Sequence, residues 1–280
     1  MSDPHAREEA PLDVAAYADR LGYHGTLDPS VETLRGLHEA HVLTVPFENL
    51  DVHLGRPISL DPSVLFRKIV HERRGGYCYE LNGLFAVMLE RLGFAVRRLM
   101  ARVLSGAAPV RPRSHEVLLV AAGGERWIAD VGFGGNGLIA PLPLRDGHDE
   151  RQYADRFRVV GHRDAEAPAF TLQHDLAGSW HDLYEFTLEQ YRPEDYIVAN
   201  YYNSHSPDSL FVRHVICTKP TRQGRVMLLD QKLKIRTKDG TRQVTVAHPD
   251  DVRALLKDHF GIDQGEIAAG LAKRWDSRGS

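Results

Sequence analysis

The chain has 280 residues, 42% of them hydrophobic and 26% charged, with a formal net charge of −3. That is an ordinary globular composition, long enough for one large or two to three small domains, and the mild negative balance excludes a general attraction to nucleic acid or anionic lipid. No apolar run is long enough to cross a bilayer, the first ten residues are polar and acidic rather than a secretory leader, and two cysteines, Cys78 and Cys217, are too few for a disulfide framework. The chain is therefore expected to be cytoplasmic, with its thiols reduced.

The first third predicts helices. Asp13 is placed to cap a helix carrying Val14, Tyr17, Ala18 and Leu21. Asp28-Pro29 reads as an N-cap and first-turn pair ahead of Val31, Leu34, Leu37, His38 and Val42, and Asp61-Pro62 repeats that signal before Leu65, Ile69 and Val70. A fourth helix runs from Cys78 to Leu92, with Leu81, Leu84, Phe85, Met88, Leu89 and Leu92 at three- and four-residue steps and Gly93 as its stop. Strands then follow over 96–104, 116–121 and 126–131, the last two joined at Gly123-Gly124, and over 157–160, 170–173 and 183–186. The last third mixes strands over 212–217, 225–229 and 233–236 with a helix over 250–260 that presents Val252, Leu255, Leu256 and Phe260 on one face. Segments 105–114 and 136–155 read as loops. The order is helices, then an antiparallel sheet or barrel, then a smaller α/β piece, an α+β arrangement.

Chemistry concentrates in Arg73-Arg74-Gly75-Gly76-Tyr77-Cys78-Tyr79-Glu80-Leu81-Asn82. Two glycines allow a tight turn and leave space at a sulfur in the first helical turn, where free N–H groups favour a thiolate, and the arginines add positive charge. A small buried thiol is the plain alternative for any free cysteine. A nucleophilic thiol needs a base, and the base an orienting group. Of 15 histidines, His115 stands out by opening a strand after the proline-rich loop, and Asp130 ends the strand one hairpin later, before Gly132-Phe133-Gly134-Gly135. Antiparallel pairing around Gly123-Gly124 sets His115 and Asp130 opposite each other. Asp130 as a simple turn residue is the competing reading, which periodicity alone leaves open.

The run Arg74–Asn82, the His115 strand and Asp130-Val131-Gly132-Phe133-Gly134 together resemble the arylamine N-acetyltransferases, as do Val45-Pro46-Phe47-Glu48-Asn49-Leu50 and the stretch from Asn200 to Pro207 with Ser209 and Phe211. The resemblance covers about residues 12 to 265. It implies an N-terminal helical bundle over 1–93, a central antiparallel β-barrel over 94–205 and a C-terminal α/β lid over 206–280, around a cysteine-protease-like Cys-His-Asp core. It further implies Cys78 as nucleophile, His115 as proton relay and Asp130 as its orienting carboxylate. These would work in a ping-pong transfer of acetyl from acetyl-CoA, a co-substrate rather than a tightly bound cofactor, to arylamines, arylhydroxylamines or hydrazines.

Phe133, Gly134, Phe211 and Ser114 are the candidate substrate-binding residues, each with a packing or turn role as the alternative. Arg113 is a further candidate beside Ser114. Arg74 and Glu80 are expected to pair and brace the nucleophile's turn, Glu48-Asn49 to be structural, and Cys217 to be an inert core thiol. No His/Cys cluster has zinc-ligand spacing, so no metal is expected, and no nucleic acid or membrane partner. The competing functions are a macrolactam-forming amide synthase fed by a carrier protein, a thiol hydrolase or transglutaminase-like protein, and a binding domain that has lost catalysis.

Overall fold

The first helix, α1 (Val14–Leu21), starts where Asp13 accepts the N–H groups of Ala15 and Ala16 at 2.8 and 3.3 Å, the cap its sequence predicts. The computed structural model describes residues 12–104, 110–162, 168–246 and 249–278, so residues 105–109 of the expected 105–114 loop and most of the acidic N-terminus lie outside them. Helix α2 (Val31–Thr44) is capped by Ser30, whose hydroxyl accepts the Thr33 N–H at 3.2 Å. Asp28-Pro29 therefore lies outside the helix, contrary to expectation. Asp28 instead gathers the hydroxyls of Thr26, Ser30 and Thr33 at 3.0, 2.8 and 2.6 Å, which fixes the capping serine. After the short strand β1 (Phe47–Glu48) and helix α3 (Leu50–His53), α4 (Pro62–Phe66) starts at Asp61-Pro62 as predicted and widens into a π-turn over Arg67–His71. Helix α5 (Cys78–Arg91) is buried along almost its whole length, and Leu81, Leu84, Phe85, Met88 and Leu89 are inaccessible to solvent.

Eight strands follow in one antiparallel sheet: β2 (Ala95–Val103), β3 (His115–Ala122), β4 (Glu125–Ala129), β5 (Leu142–Pro143), β6 (Asp149–Gln152), β7 (Asp155–His162), β8 (Ala169–Leu176) and β9 (Ser179–Thr187), in the order β5-β4-β3-β2-β9-β8-β7-β6. The sheet curls into a nearly closed barrel. Gln152 at the β6 edge accepts the Ile139 and Ala140 N–H groups at 2.8 and 2.9 Å and donates to the Ala140 carbonyl, just ahead of the β5 edge. Strand β3 is buried on both faces: Leu118 and Val120 pack with the helices, while Val117 and Leu119 line the barrel core with Phe157, Val159 and Leu172. That two-sided burial explains its unbroken apolar run. The β3–β4 turn is tight because Gly123 and Gly124 both take left-handed backbone, φ 59° and 76°.

Helix α6 (Pro193–His205) had no clear signal in the sequence, since Ile197, Val198 and Tyr201 face outward and its apolar residues form no single stripe. The expected strand over 212–217 divides in two. Ser209 caps a short helix, α7 (Leu210–Arg213), by accepting the Phe211 N–H at 3.2 Å, and the strand begins only at Ile216. A second antiparallel sheet, ordered β1-β10-β11-β12-β13, comprises β10 (Ile216–Thr221), β11 (Gly224–Leu229), β12 (Lys232–Thr237), β13 (Gly240–Thr245) and the early strand β1. Helices α8 (Pro249–Leu255, continued by a π-turn to Phe260) and α9 (Gly265–Arg278) cover it, burying Val252, Leu256, Phe260, Ile267, Leu271 and Trp275 against Val226, Leu228 and Leu233. Phe47 of β1 also bridges to Gly76, and Glu48 N–H donates to the Gly76 carbonyl at 2.9 Å, so the second sheet is tied to the turn before Cys78.

Candidate active site

The turn before α5 is built on a buried charge cluster. Arg74, 2% exposed, donates through Nε to Glu48 at 2.9 Å and through Nη1 and Nη2 to Asp51 at 3.2 Å, and Lys68 bridges Asp51 at 2.7 Å and Glu80 at 2.6 Å. Arg74 and Glu80 thus brace the turn, but not through the expected pairing with each other; Lys68, from the π-turn, is the cation that reaches Glu80. Glu80 also accepts the Tyr77 N–H at 3.0 Å, one half of a capping box at the start of α5. Arg74's charge is matched there by two carboxylates. The glycines serve close approach here: a Cβ at Gly75 would lie 1.9 Å from the Pro46 carbonyl, and one at Gly76 2.7 Å from Glu80. The space they free is used by those neighbours, and the sulfur lies beyond it.

Cys78, 3% exposed, opens α5, and its Sγ lies 3.9 Å from the Ser114 carbonyl and within hydrogen-bonding reach of His115. His115 Nε2 meets Asp130 Oδ2 at 2.7 Å, both side chains being buried. Strand pairing ends at Leu118 with Ala129, so Asp130 has already left the ladder and reaches His115 diagonally, rather than from directly opposite. Burial pulls the His115 pKa down, but the charge and hydrogen bond of Asp130, with a lesser contribution from Cys78, outweigh it and raise it to about 10. Asp130 is held below the usual carboxylate range: burial pushes it up, and His115 together with hydrogen bonds from Asn82 and the Gly132 N–H more than offsets that.

Two residues that complete this arrangement escaped the sequence reading. Asn82, one turn along α5 from Cys78, donates to Asp130 Oδ1 at 2.9 Å and to the Glu116 carbonyl at 2.7 Å, and accepts the Val131 N–H at 2.8 Å. Its spacing of four from the cysteine was the available signal. His38 on α2 accepts the Asp130 N–H through Nε2 at 3.0 Å, so its Nδ1 donates to the Ile139 carbonyl, also at 3.0 Å. Burial lowers its pKa to about 4, which keeps the ring neutral in this role. The closeness of the packing explains Gly132: a Cβ there would sit 2.9 Å from both Cys78 Cα and Asn82 Nδ2.

Cys78 and His115 open onto a cavity of about 590 Å³ that is also lined by Ser114, Phe133, Gly135, Phe211 and Arg213. The Phe133 ring stands edge-on to His115 at 5.2 Å, and Phe211 packs on Phe47 and Tyr77 at 5.8 and 5.6 Å, so Phe211 is at once core and wall. Ser114 reaches the cavity, while its carbonyl accepts from Asn203 at 3.0 Å. Gly134, with φ 70°, sits against Phe47 behind the wall, and it is Gly132 and Gly135 that face the main cavity. Arg113 is turned to Tyr191 at 2.5 Å and Glu189 at 3.4 Å. Cys217 is fully buried in β10, where burial pushes its thiol well up. No helix among the described residues is long and apolar enough to cross a membrane.

The fold of helices, nearly closed barrel and second sheet matches known transferases over most of the chain. The N-acetyltransferase family model matches residues 30–267. An arylamine N-acetyltransferase / N-hydroxyarylamine O-acetyltransferase of Salmonella typhimurium is 38% identical over 261 residues, covering 92% of each chain, and an arylamine N-acetyltransferase of Mycobacterium bovis is 38% identical over 263 residues, 91% of each. The solved Mycobacterium marinum arylamine N-acetyltransferase in complex with CoA superposes with a TM-score of 0.88 at 34% identity, covering 95% of this chain and 99% of that one. The chain belongs to the arylamine N-acetyltransferase family.

Proposed function

We propose that the chain transfers an acetyl group from acetyl-CoA to arylamines, arylhydroxylamines or hydrazines through an acetyl-cysteine at Cys78. The observation that carries this reading is the relay of Cys78 and His115 at the cavity with the buried Asp130 behind the ring, holding His115 charged to about pH 10. Support for the substrates comes from the names of the relatives and from the CoA complex of the Mycobacterium marinum neighbour.

In this cysteine-protease-like core, the Cys78 thiolate attacks the thioester carbonyl, and the tetrahedral oxyanion accepts the Cys78 backbone N–H, free in the first turn of α5. The C–S bond to CoA then breaks, and His115 gives its proton to the departing CoA sulfur. The amine next attacks the acetyl-cysteine, His115 takes the proton lost from its nitrogen, and Cys78 leaves as the thiolate. Asp130 orients the ring and stabilises the imidazolium in both halves. Phe133, Ser114 and Phe211 serve as walls for acyl group and acceptor, with Gly134 supporting the turn beside them. Residues 1–93, 94–205 and 206–280 serve as the bundle, barrel and lid of this enzyme, and a reducing cytoplasmic setting suits a nucleophile that must stay a free thiol.

The test is intact-protein mass after brief exposure to acetyl-CoA without amine. One acetyl group is expected on the wild type and none on Cys78→Ala, and an added arylamine or hydrazine should discharge it. Absence of the adduct, with no CoA released, would reject acetyl-CoA as donor and favour a carrier-protein donor.

A further inference from the structure

Arg225 on β11 is the least expected side chain near the cavity. It is a full-length arginine that is 2% exposed, and its three hydrogen-bonding directions all go to the barrel: Nε to Asp155 Oδ2 at 2.9 Å, Nη1 to the Gly135 carbonyl at 2.8 Å, and Nη2 to the Gly137 carbonyl. Asp155 in turn accepts from His174 at 2.9 Å and from Arg236 at 2.8 Å, and Arg236 pairs directly opposite Arg225 across β11–β12. Two arginines facing one another would repel; the carboxylate between them removes that cost.

A buried ion pair alone would be weak grounds for a role beyond packing. What sets Arg225 apart is that two of its three directions serve backbone carbonyls of the segment that walls the cavity. That segment runs from Asp130 to Ala140. Its start is held by Asn82 and His38, and its end by Gln152. The middle holds itself only by the Gly137 N–H to Gly134 carbonyl bond at 3.0 Å, and both Gly134 and Gly135 have positive φ, so its own backbone preference is weak. Phe133 and Gly135 of this stretch line the cavity onto which Cys78 opens.

We propose that Arg225, oriented by Asp155, is a positioning residue that sets where the Phe133–Gly137 wall stands, and so how large a group can reach Cys78. The proposal rests on Cys78 being the reactive thiol of the site, but not on acetyl-CoA being its donor. Arg225→Lys keeps a charge opposite Asp155 yet cannot span two carbonyls as a planar guanidinium does, and Arg225→Met removes the charge altogether.

The experiment compares the rates at which iodoacetamide and its bulkier N-phenyl analogue alkylate Cys78 in wild type, Arg225→Lys and Arg225→Met, with the adduct located by peptide mass. Both variants are expected to change the bulky-to-small rate ratio by at least about threefold, as displaced walls do. Unfolded chain exposes Cys78 and drives the ratio to that of a free thiol, so the rates are compared on the folded fraction, with the urea-unfolded chain giving the free-thiol ratio as reference. An unchanged ratio in folded Arg225→Lys overturns the proposal, whatever Arg225→Met does. A shifted ratio in a protein that forms no acetyl adduct would sustain the proposal while removing the acetyl-CoA reading, and a fixed ratio in a protein that does acetylate would do the reverse.

Discussion

Among the described residues, two buried histidine–aspartate pairs lie at nearly the same distance, His115–Asp130 at 2.7 Å and His174–Asp155 at 2.9 Å, and they are put to different uses. Asp130 has one cationic partner among the described residues, His115. Its other oxygen takes neutral donors, the Asn82 amide and the Gly132 N–H, so its negative charge is left for His115 to match. Asp155 is matched twice over by Arg225 and Arg236, which together with the His174 hydrogen bond hold its pKa near 2 against the opposing effect of burial. The far side of His115 faces the Cys78 thiol and a cavity, whereas His174 packs on Phe157 at 5.0 Å and its Nδ1 is buried without a hydrogen-bond partner among the described residues. A histidine–aspartate contact therefore says little by itself. What makes one pair a candidate catalyst is an uncommitted carboxylate charge and a reactive group at the other ring nitrogen.

The largest test of that contrast lies at the thiols. Cys78→Ser is expected to lower turnover by at least about 10³-fold, since a hydroxyl supplies no anion at neutral pH. Cys217→Ser should leave turnover within about twofold and cost about 1–3 kcal/mol of stability, the penalty for burying a hydroxyl. Steady-state rates and urea unfolding separate the two, and a fast Cys78→Ser enzyme would remove the nucleophile assignment. Next come the aspartates. Asp130→Asn should retain its fold and lose about 10²- to 10⁴-fold in rate, as a mis-oriented base does. Asp155→Asn strands the buried Arg225 and the partly exposed Arg236 and should lose about 3–5 kcal/mol in stability, with the smaller part of its effect on rate. If the two variants showed the same balance of rate and stability loss, the division between the pairs would collapse.

Much of this contrast could be read along the chain. Cys78, His115 and Asp130 are each marked by a local event, a helix start, a strand start and a strand end, and these junctions converge because α5 packs on β3. Periodicity also located α5 and the strands of the barrel wall, whose cores are continuous apolar runs. The supporting residues were harder to see because their partners are remote. His38 meets Asp130 across 92 positions, Arg225 meets Asp155 across 70, and Lys68 displaces Arg74 as the partner of Glu80 only because the π-turn rotates it inward. Helix α6 was missed for the opposite reason, since its exposed Ile197 and Val198 remove the amphipathic pattern that announces a surface helix. Asn82 was within reach, sharing a helix face with Cys78, but an asparagine in a helix interior has no chemistry until the carboxylate it serves is known.

Asn82 gives the next smaller effect. Asn82→Ala leaves the Val131 N–H without its partner and Asp130 with one fewer donor, so a loss of about 1–3 kcal/mol and a rate reduction of about tenfold are expected. The rate loss should exceed that of a stability-matched variant away from the site, such as Leu89→Val in the same helix. Equal losses would reduce Asn82 to packing.

The gentlest probe of the comparison is pH, because it removes a charge without removing an atom. In the folded chain the His115 pKa is raised from the ordinary 6.5 to about 10. A histidine raised on folding binds its proton more tightly in the native state, so its contribution to stability is complete below pH 6.5 and is lost progressively as pH climbs through 10. The stability difference between wild type and His115→Gln should therefore be greatest at pH 6 and shrink steadily at pH 8 and 10, measured by urea unfolding in a constant-ionic-strength buffer. Asp130→Asn should flatten that slope, since it removes the charge that holds the proton on. A difference that stays constant from pH 6 to 10 would mean that His115 is not held as the imidazolium, and that Asp130 orients a neutral ring.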